Sequence, residues 1–246
     1  MQACLNGGRG PGDAAVVPMS PGALAEEAVR AVAAGAVDLH VHPKSPCGGD
    51  TLSPGVLADT LTAIREAVDV PVGVTTGAWA EPDPVRRVER VRSWTVLPDH
   101  ASVNWHEAGA EEVAAALLDR GVGVEAGLWS GTDGPARFLR SPLGPYVLRV
   151  LAEVTDPDPA TAESTARALL ARLGASGSAS TAGDAVRRAP VLLHGEDGGA
   201  WPVLRLAGRL GLATRIGLED TLFLPDGRAA RDNAALVRAA LAEGAS

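Results

Sequence analysis

The chain has 246 residues, 46% of them apolar and 21% charged, which is ordinary globular usage and excludes a fibrous or disordered polymer. A formal charge of −8, with lysine almost absent and arginines spread along the chain, excludes the clustered basic face of a non-specific nucleic-acid binder. No run reaches the roughly 18 apolar residues of a membrane helix and no basic-then-apolar leader opens the chain, so the expectation is a cytoplasmic protein with neither membrane nor nucleic-acid partners.

In chain order, short apolar strands alternate with amphipathic helices. Residues 2–5 read as a strand, and 21–34 as a helix that Ser20-Pro21 opens with an N-cap and a proline at the first position. A strand at 37–42, a helix at 53–68, a strand at 70–75 and a basic helix at 84–93 follow. Strands at 100–104, 122–126 and 146–154, with a helix at 111–120, continue the alternation. Helices at 159–173, 203–210 and 233–242 and strands at 190–194 and 214–218 complete it, with a Gly/Ser/Ala-rich connection at 174–184. Eight strands with helices between most of them, in about 250 residues, predict a single-domain α/β fold over residues 1–246, a (β/α)8 TIM barrel; a doubly wound sheet is the alternative.

In a barrel the active site lies on the loops after the carboxyl ends of the strands. The second strand ends in His40-Val41-His42, and residues i and i+2 of a strand share a face, so both imidazoles can hold one ion. Two histidines and a carboxylate make a common open divalent-metal site, and Glu219, after the last strand, is the expected third ligand. Asp38 shares their face and could orient His40, or be a structural carboxylate. Arg215 and Glu219, four apart, fall on one face of a regular strand, and an arginine inside a barrel must be paired or used on an anion.

Other strand ends carry polar groups: Thr75-Thr76-Gly77, Asn104-Trp105-His106-Glu107 and His194-Gly195-Glu196-Asp197. Asn104 is expected in a substrate wall, and Glu125, in an otherwise apolar strand, is either catalytic or salt-bridged. His100, beside Asp99, is expected at the surface. Cys4 and Cys47 form no disulfide framework; Cys4 is expected in the core, and Cys47, in the Pro/Gly-rich loop five residues after His42, is either a metal or substrate contact or, as free cysteines more often are, a small hydrophobe.

These motifs resemble the β-keto acid cleavage enzymes, named after 3-keto-5-aminohexanoate cleavage enzyme. The resemblance rests on Asn6-Gly7-Gly8-Arg9, His40-Val41-His42, Thr75-Thr76-Gly77, Arg215-Ile216-Gly217-Leu218-Glu219-Asp220 and Asn233-Ala234-Ala235-Leu236-Val237, which occur in the family's order over nearly the whole chain. It implies a barrel, as a homo-oligomer (tetramer or dimer), with a divalent metal, typically Zn2+, on His40, His42 and Glu219. It further implies condensation of a β-keto acid with acetyl-CoA to give acetoacetate and a new acyl-CoA. Asp220 would be the base, tuned by Arg215 and the Thr75 hydroxyl, and substrate contacts would come from Arg9, Asn6, Thr76, Gly77, Asn104 and Glu125.

The sequence also departs from the family pattern. His42-Pro43-Lys44-Ser45 stands where the family often has His-Val-Arg-Asp, losing an acidic residue, and Glu125-Ala126-Gly127 keeps one of two glutamates. Arg9 replaces an acid that recognises a substrate amine, so an anionic or neutral side group is expected. The rival reading is a metal-dependent hydrolase of the amidohydrolase type, whose His-x-His normally falls on the first strand and is followed by further histidines. A non-catalytic metabolite-binding barrel is the third.

Overall fold

The computed structural model describes residues 1–174 and 189–245, so the 174–184 connection falls almost wholly outside the described residues. The strands are β1 (Gln2–Cys4), β2 (Asp38–Val41), β3 (Val72–Thr75), β4 (His100–Asn104), β5 (Gly123–Trp129), β6 (Arg149–Val154), β7 (Val191–Gly195) and β8 (Arg215–Ile216). The helices are α1 (Pro21–Ala33), α2 (Pro54–Ala67), α3 (Pro84–Ser93), α4 (Ala110–Leu118), α5 (Gly134–Phe138), α6 (Ala162–Arg172), α7 (Ala200–Leu210) and α8 (Asn233–Ala242). All strand pairs are parallel in the order β7-β6-β5-β4-β3-β2-β1-β8. The ring closes where Leu192 bridges Ala213, with the Leu193 N–H donating to the Ala213 carbonyl (2.9 Å) and the Thr214 hydroxyl to the Leu193 carbonyl (2.7 Å). The chain is therefore a (β/α)8 barrel. Among the described residues, no helix is long and apolar enough to cross a membrane.

The apolar core lies between strands and helices. Leu39, Val41, Val72, Val74, Ala101, Val103, Val124, Ala126, Val150 and Ala152 are all buried in it, each alternating with a neighbour of opposite orientation. Those neighbours face the barrel axis, and many are polar. Gln2, Asp38, His100, Glu125 and Arg149, from five strands, form one bonded layer: the Gln2 amide donates to Glu125 (3.2 Å), His100 lies 2.8 Å from Asp38 and 3.0 Å from Glu125, and Arg149 bonds both carboxylates. A buried charge is tolerated when it is paired and hydrogen-bonded, and each member here is.

Three expectations are corrected by this layer and by the strand ends. His100 is 2% exposed rather than on the surface. Of the two readings of Asp38, the structural carboxylate holds, paired with His100 and Arg149. β8 pairs over two residues only, because the chain turns from Gly217 onward. Tyr146 belongs to a 3-10 turn before β6, and the short helix α5 was not expected. The N-cap of α1 is as expected, the Ser20 hydroxyl accepting from Ala23 N–H at 3.2 Å. Asn233 opens α8 and fixes the turn after β8: its Oδ1 accepts from Leu218 N–H (2.9 Å), and its Nδ2 donates to the Leu5 carbonyl (3.0 Å) and to Glu27 (2.9 Å).

Candidate metal and active site

The carboxyl ends of the strands open into a cleft of about 490 Å3. β2 delivers His40 and His42 to its floor. Beyond the last ladder residue the strand is held by Asn6, whose Oδ1 accepts from His42 N–H and whose Nδ2 donates to the His42 carbonyl, both at 2.8 Å. The Asn6 amide is thus committed to backbone, and Asn6 does not line the cleft.

Glu219 arrives by the turn after β8 and meets the imidazoles from the opposite side. Its carboxylate lies 3.9 Å from His40 Nε2 and 3.7 Å from His42 Nε2. Gly7 makes this approach possible: it adopts φ +55°, and a Cβ there would lie 2.3 Å from Glu219 Cγ. Arg9 Nε caps the Glu219 carbonyl at 3.1 Å.

One donor atom from each of His40, His42 and Glu219 lies within 4.8 Å of the others. The protonation states suit a cation. Burial pushes the His40 imidazolium down to about 4, so the ring is neutral. Burial would raise Glu219, but the Arg215 guanidinium and the two imidazoles outweigh it and hold the carboxyl at about 2. Among the described residues, Glu219 Oε2 and His40 Nδ1 are buried without a hydrogen-bond partner, and an unpaired buried carboxylate oxygen facing two imidazole nitrogens fits a divalent ion.

Arg215, 3% exposed, is the hub beside this cluster. Its Nη2 donates to Glu219 Oε1 (2.9 Å), while Nε and Nη2 lie 3.1 Å from Asp220 Oδ1. Nε also donates to His194 Nδ1 (3.1 Å), and the other His194 nitrogen faces Glu153 at 3.5 Å. Among the described residues, Asp220 Oδ2 is left buried with no partner. Thr75 lines the cleft, but its hydroxyl accepts from Gly77 N–H (3.1 Å) and makes no bond to Asp220; the groups on Asp220 are Arg215 and His194.

The remaining expected contacts divide. Arg9 and Asn104 line the cleft. Asn104 is steadied by Glu107, to which its Nδ2 donates at 3.0 Å. Arg9 pairs with Asp197, which is largely exposed, at 2.5 Å. Thr76 donates to the Ser102 carbonyl (2.6 Å), and Gly77 leaves room for the Trp79 ring, which would stand 2.3 Å from a Cβ. Glu125, fully buried, is salt-bridged one layer below the cleft and does not line it.

Sequence reasoning did not single out Asp50, Trp79, Trp129 or Glu153 of the lining. Trp79 stacks on His42 (centroids 6.0 Å apart, 11° between planes) and on Trp129 (6.3 Å), roofing the histidine side. Glu196, at the opposite wall, is raised to about 8 by burial and by the Glu153 carboxylate.

Among solved structures, the chain is similar to ObcA in a ternary complex with a C4-CoA adduct and oxalate: the TM-score is 0.68 at 17% identity, over 93% of this chain and 63% of that one. The chain thus spans less than two thirds of that protein's length. It is also similar to (S)-3-O-geranylgeranylglyceryl phosphate synthase from Thermoplasma acidophilum in complex with sn-glycerol-1-phosphate, with a TM-score of 0.50 at 15% identity over 99% and 92% of the two chains. A third likeness, to the Amycolatopsis orientalis BexX/CysO complex, has a TM-score of 0.50 at 15% identity over 89% and 84%. These likenesses concern the fold. No curated protein matches the chain in sequence. Residues 1–244 match the family model of beta-keto acid cleavage enzyme, and the chain belongs to that family.

Proposed function

We propose that the protein is a metal-dependent enzyme that condenses a β-keto acid with acetyl-CoA and releases acetoacetate and a new acyl-CoA. The observation that carries this reading is the His40, His42 and Glu219 cluster, whose Glu219 shares Arg215 with the following residue Asp220, a buried carboxylate with Oδ2 unpaired among the described residues, in a chain of this family. A divalent ion held by those three residues, Zn2+ being the first candidate, would polarise the keto and carboxylate oxygens of the acid as a Lewis acid.

The rest is the work of the protein's own groups. Asp220 takes a proton from the carbon between the keto and carboxyl groups, with Arg215 fixing Oδ1 so that Oδ2 is the free acceptor. The carbanion forms a bond to the thioester carbonyl and the CoA thiolate leaves. That thiolate then adds to the original keto carbon, the carbon–carbon bond breaks, and the acetoacetate carbanion recovers the proton from Asp220. Thr75 and Asn104 offer polar contacts on the far wall, and Trp79 shields the floor from water.

The hydrolase reading needs further histidines on the ion, and among the described residues the ligand group holds only His40 and His42, while His194 is turned to Asp220 and Glu153. The reading also includes a cytoplasmic location and a homo-oligomer, tetramer or dimer. Mass spectrometry of the Zn2+-loaded protein with acetyl-CoA and a panel of β-keto acids tests it: acetoacetate and the matching thioester should appear together. Absence of both across the panel, with metal bound, would sink the proposed reaction.

A further inference from the structure

The loop from 43 to 51 doubles back on itself above β2. Ser45 N–H donates to the Gly49 carbonyl (2.8 Å), Thr51 N–H to the Pro43 carbonyl (3.0 Å), and Lys44 pairs with Asp50 as an isolated antiparallel bridge. Lys44 is the one lysine in the sequence, and it is 6% exposed. Its ammonium donates to the Gly7 carbonyl (2.6 Å) and to Asp50 Oδ1 (2.5 Å). The other oxygen, Asp50 Oδ2, accepts from Trp79 Nε1 (2.8 Å) and faces His42 Nδ1 at 2.7 Å.

Both oxygens of Asp50 are therefore committed, and their partners lie on three separate elements around the cleft. An ionised carboxylate only accepts, so Asp50 selects the His42 tautomer with its proton on Nδ1 and turns the Nε2 lone pair towards Glu219, 3.7 Å away. A buried ammonium is expensive without a partner, and here it holds the carboxylate in place and ties the loop to the β1 end. His40 has no comparable support among the described residues: its Nδ1 has no hydrogen-bond partner there, and Glu125 stands 3.8 Å away. One imidazole is locked by a carboxylate, the other by packing alone.

We propose that Asp50 is the positioning residue for His42 and that Lys44 is its counter-cation, so that the 43–51 loop clamps the ligand ring and the Trp79 roof as one unit. This rests on the metal site of the proposed function. It also accounts for the acid missing from the segment His42-Pro43-Lys44-Ser45: the carboxylate comes from Asp50, brought back by the loop reversal.

The test is Zn2+ affinity of the metal-free full chain, measured by chelator competition, with the Co2+ ligand-field spectrum as a second readout of ligand geometry. Asp50→Ala should weaken Zn2+ binding about 10- to 100-fold and alter the Co2+ spectrum, and Asp50→Asn, which keeps an acceptor, should recover part of the loss. Because Asp50→Ala strands a buried ammonium, the double variant Lys44→Met, Asp50→Ala removes both charges, and it should show the same weakening with metal-free thermal unfolding close to wild type. Zn2+ affinity and Co2+ spectrum unchanged in a folded Asp50→Ala or double variant would overturn the positioning role alone. A wild-type chain that binds none of Zn2+, Co2+ or Mn2+ would overturn the functional reading itself, and the role with it.

Discussion

Gly73 on β3 is paired in register with His100 on β4, and the His100 ring occupies the place of the missing side chain: a Cβ on Gly73 would stand 2.0 Å from His100 Cε1. The reason is topological. His100 starts from β4 and reaches Asp38 on β2, so its ring must cross β3, and only a glycine there leaves the path open. Gly73→Ala should displace the ring, break the Asp38–His100–Glu125 bridge and destabilise the fold by about 3 kcal/mol, readable as a lower urea midpoint. An unchanged midpoint would mean that the barrel absorbs the methyl group without moving His100.

The same bridge sets a pH dependence. Burial would lower the His100 imidazolium, but the Glu125 charge and the hydrogen bonds to Asp38 and Glu125 outweigh it and raise it from 6.5 to about 10. A histidine whose folded value is raised contributes stability that is complete below the unfolded value and is lost as the pH climbs through the folded one. Wild-type stability should therefore fall between about pH 7 and 10. In His100→Gln, stability at neutral pH should be lower by about 3–5 kcal/mol, because Asp38 and Glu125 lose a cation between them, and the decline towards pH 10 should be shallower. Denaturant titrations of both proteins at pH 7 and pH 10 give the comparison; parallel declines would contradict it.

His100 also shows where the sequence misleads. The alternation His100, Ala101, Ser102, Val103, Asn104 has the pattern of a half-exposed strand, polar side to water. In this barrel the apolar side faces the helices and the polar side faces other strands across the axis, so periodicity finds the strand but not the surroundings of its polar residues. The alternation of strands and helices, the His40 and His42 spacing and the return of Glu219 were legible because each follows from strand period and strand order. The strand pattern at 214–218 runs past β8 because the chain turns from Gly217 onward, and Gly-Pro-Ala-Arg-Phe of α5 is too short to show a period. Asp50 and Trp79 were out of reach for another reason: loop reversals bring them to His42, and no spacing rule encodes that.

Asp220→Asn tests the proposed base without disturbing the metal ligands. The amide keeps the size of the side chain and an oxygen for Arg215, and removes the ability to take a proton. Turnover should drop by about 10²- to 10⁴-fold while Zn2+ affinity stays near wild type. Exchange of the substrate's α-proton with deuterated solvent, followed by NMR, should be lost in parallel. Turnover within a few-fold of wild type would remove Asp220 from the mechanism.

Gly7→Ala tests how Glu219 is admitted. The substitution puts a side chain at φ +55° and 2.3 Å from Glu219 Cγ, so the carboxylate must retreat from the two imidazoles. Because Arg9 anchors the Glu219 carbonyl and the turn is held by Asn233, the retreat should fall on the Glu219 side chain rather than on the whole segment. The expected result is at least tenfold weaker Zn2+ binding, measured by chelator competition in a protein that still unfolds cooperatively; wild-type affinity would show that Glu219 is not a ligand or that the loop yields instead.

Glu196 gives the cleft a charge that switches near pH 8. Burial and the neighbouring Glu153 carboxylate raise it to about 8, so it faces substrate as a neutral acid at pH 7 and as an anion above about 8. Glu153 is already a carboxylate there, and the cleft arginine Arg9 is paired with Asp197. A second negative charge on that wall repels the carboxylate of a β-keto acid, so kcat/KM should fall as the pH rises through about 8. Glu196→Gln fixes the neutral state, and its kcat/KM should remain level across that range while matching wild type at pH 7. If the alkaline decline persists in Glu196→Gln, the group that titrates is elsewhere in the cleft, and the Glu153–Glu196 contact has only a structural role.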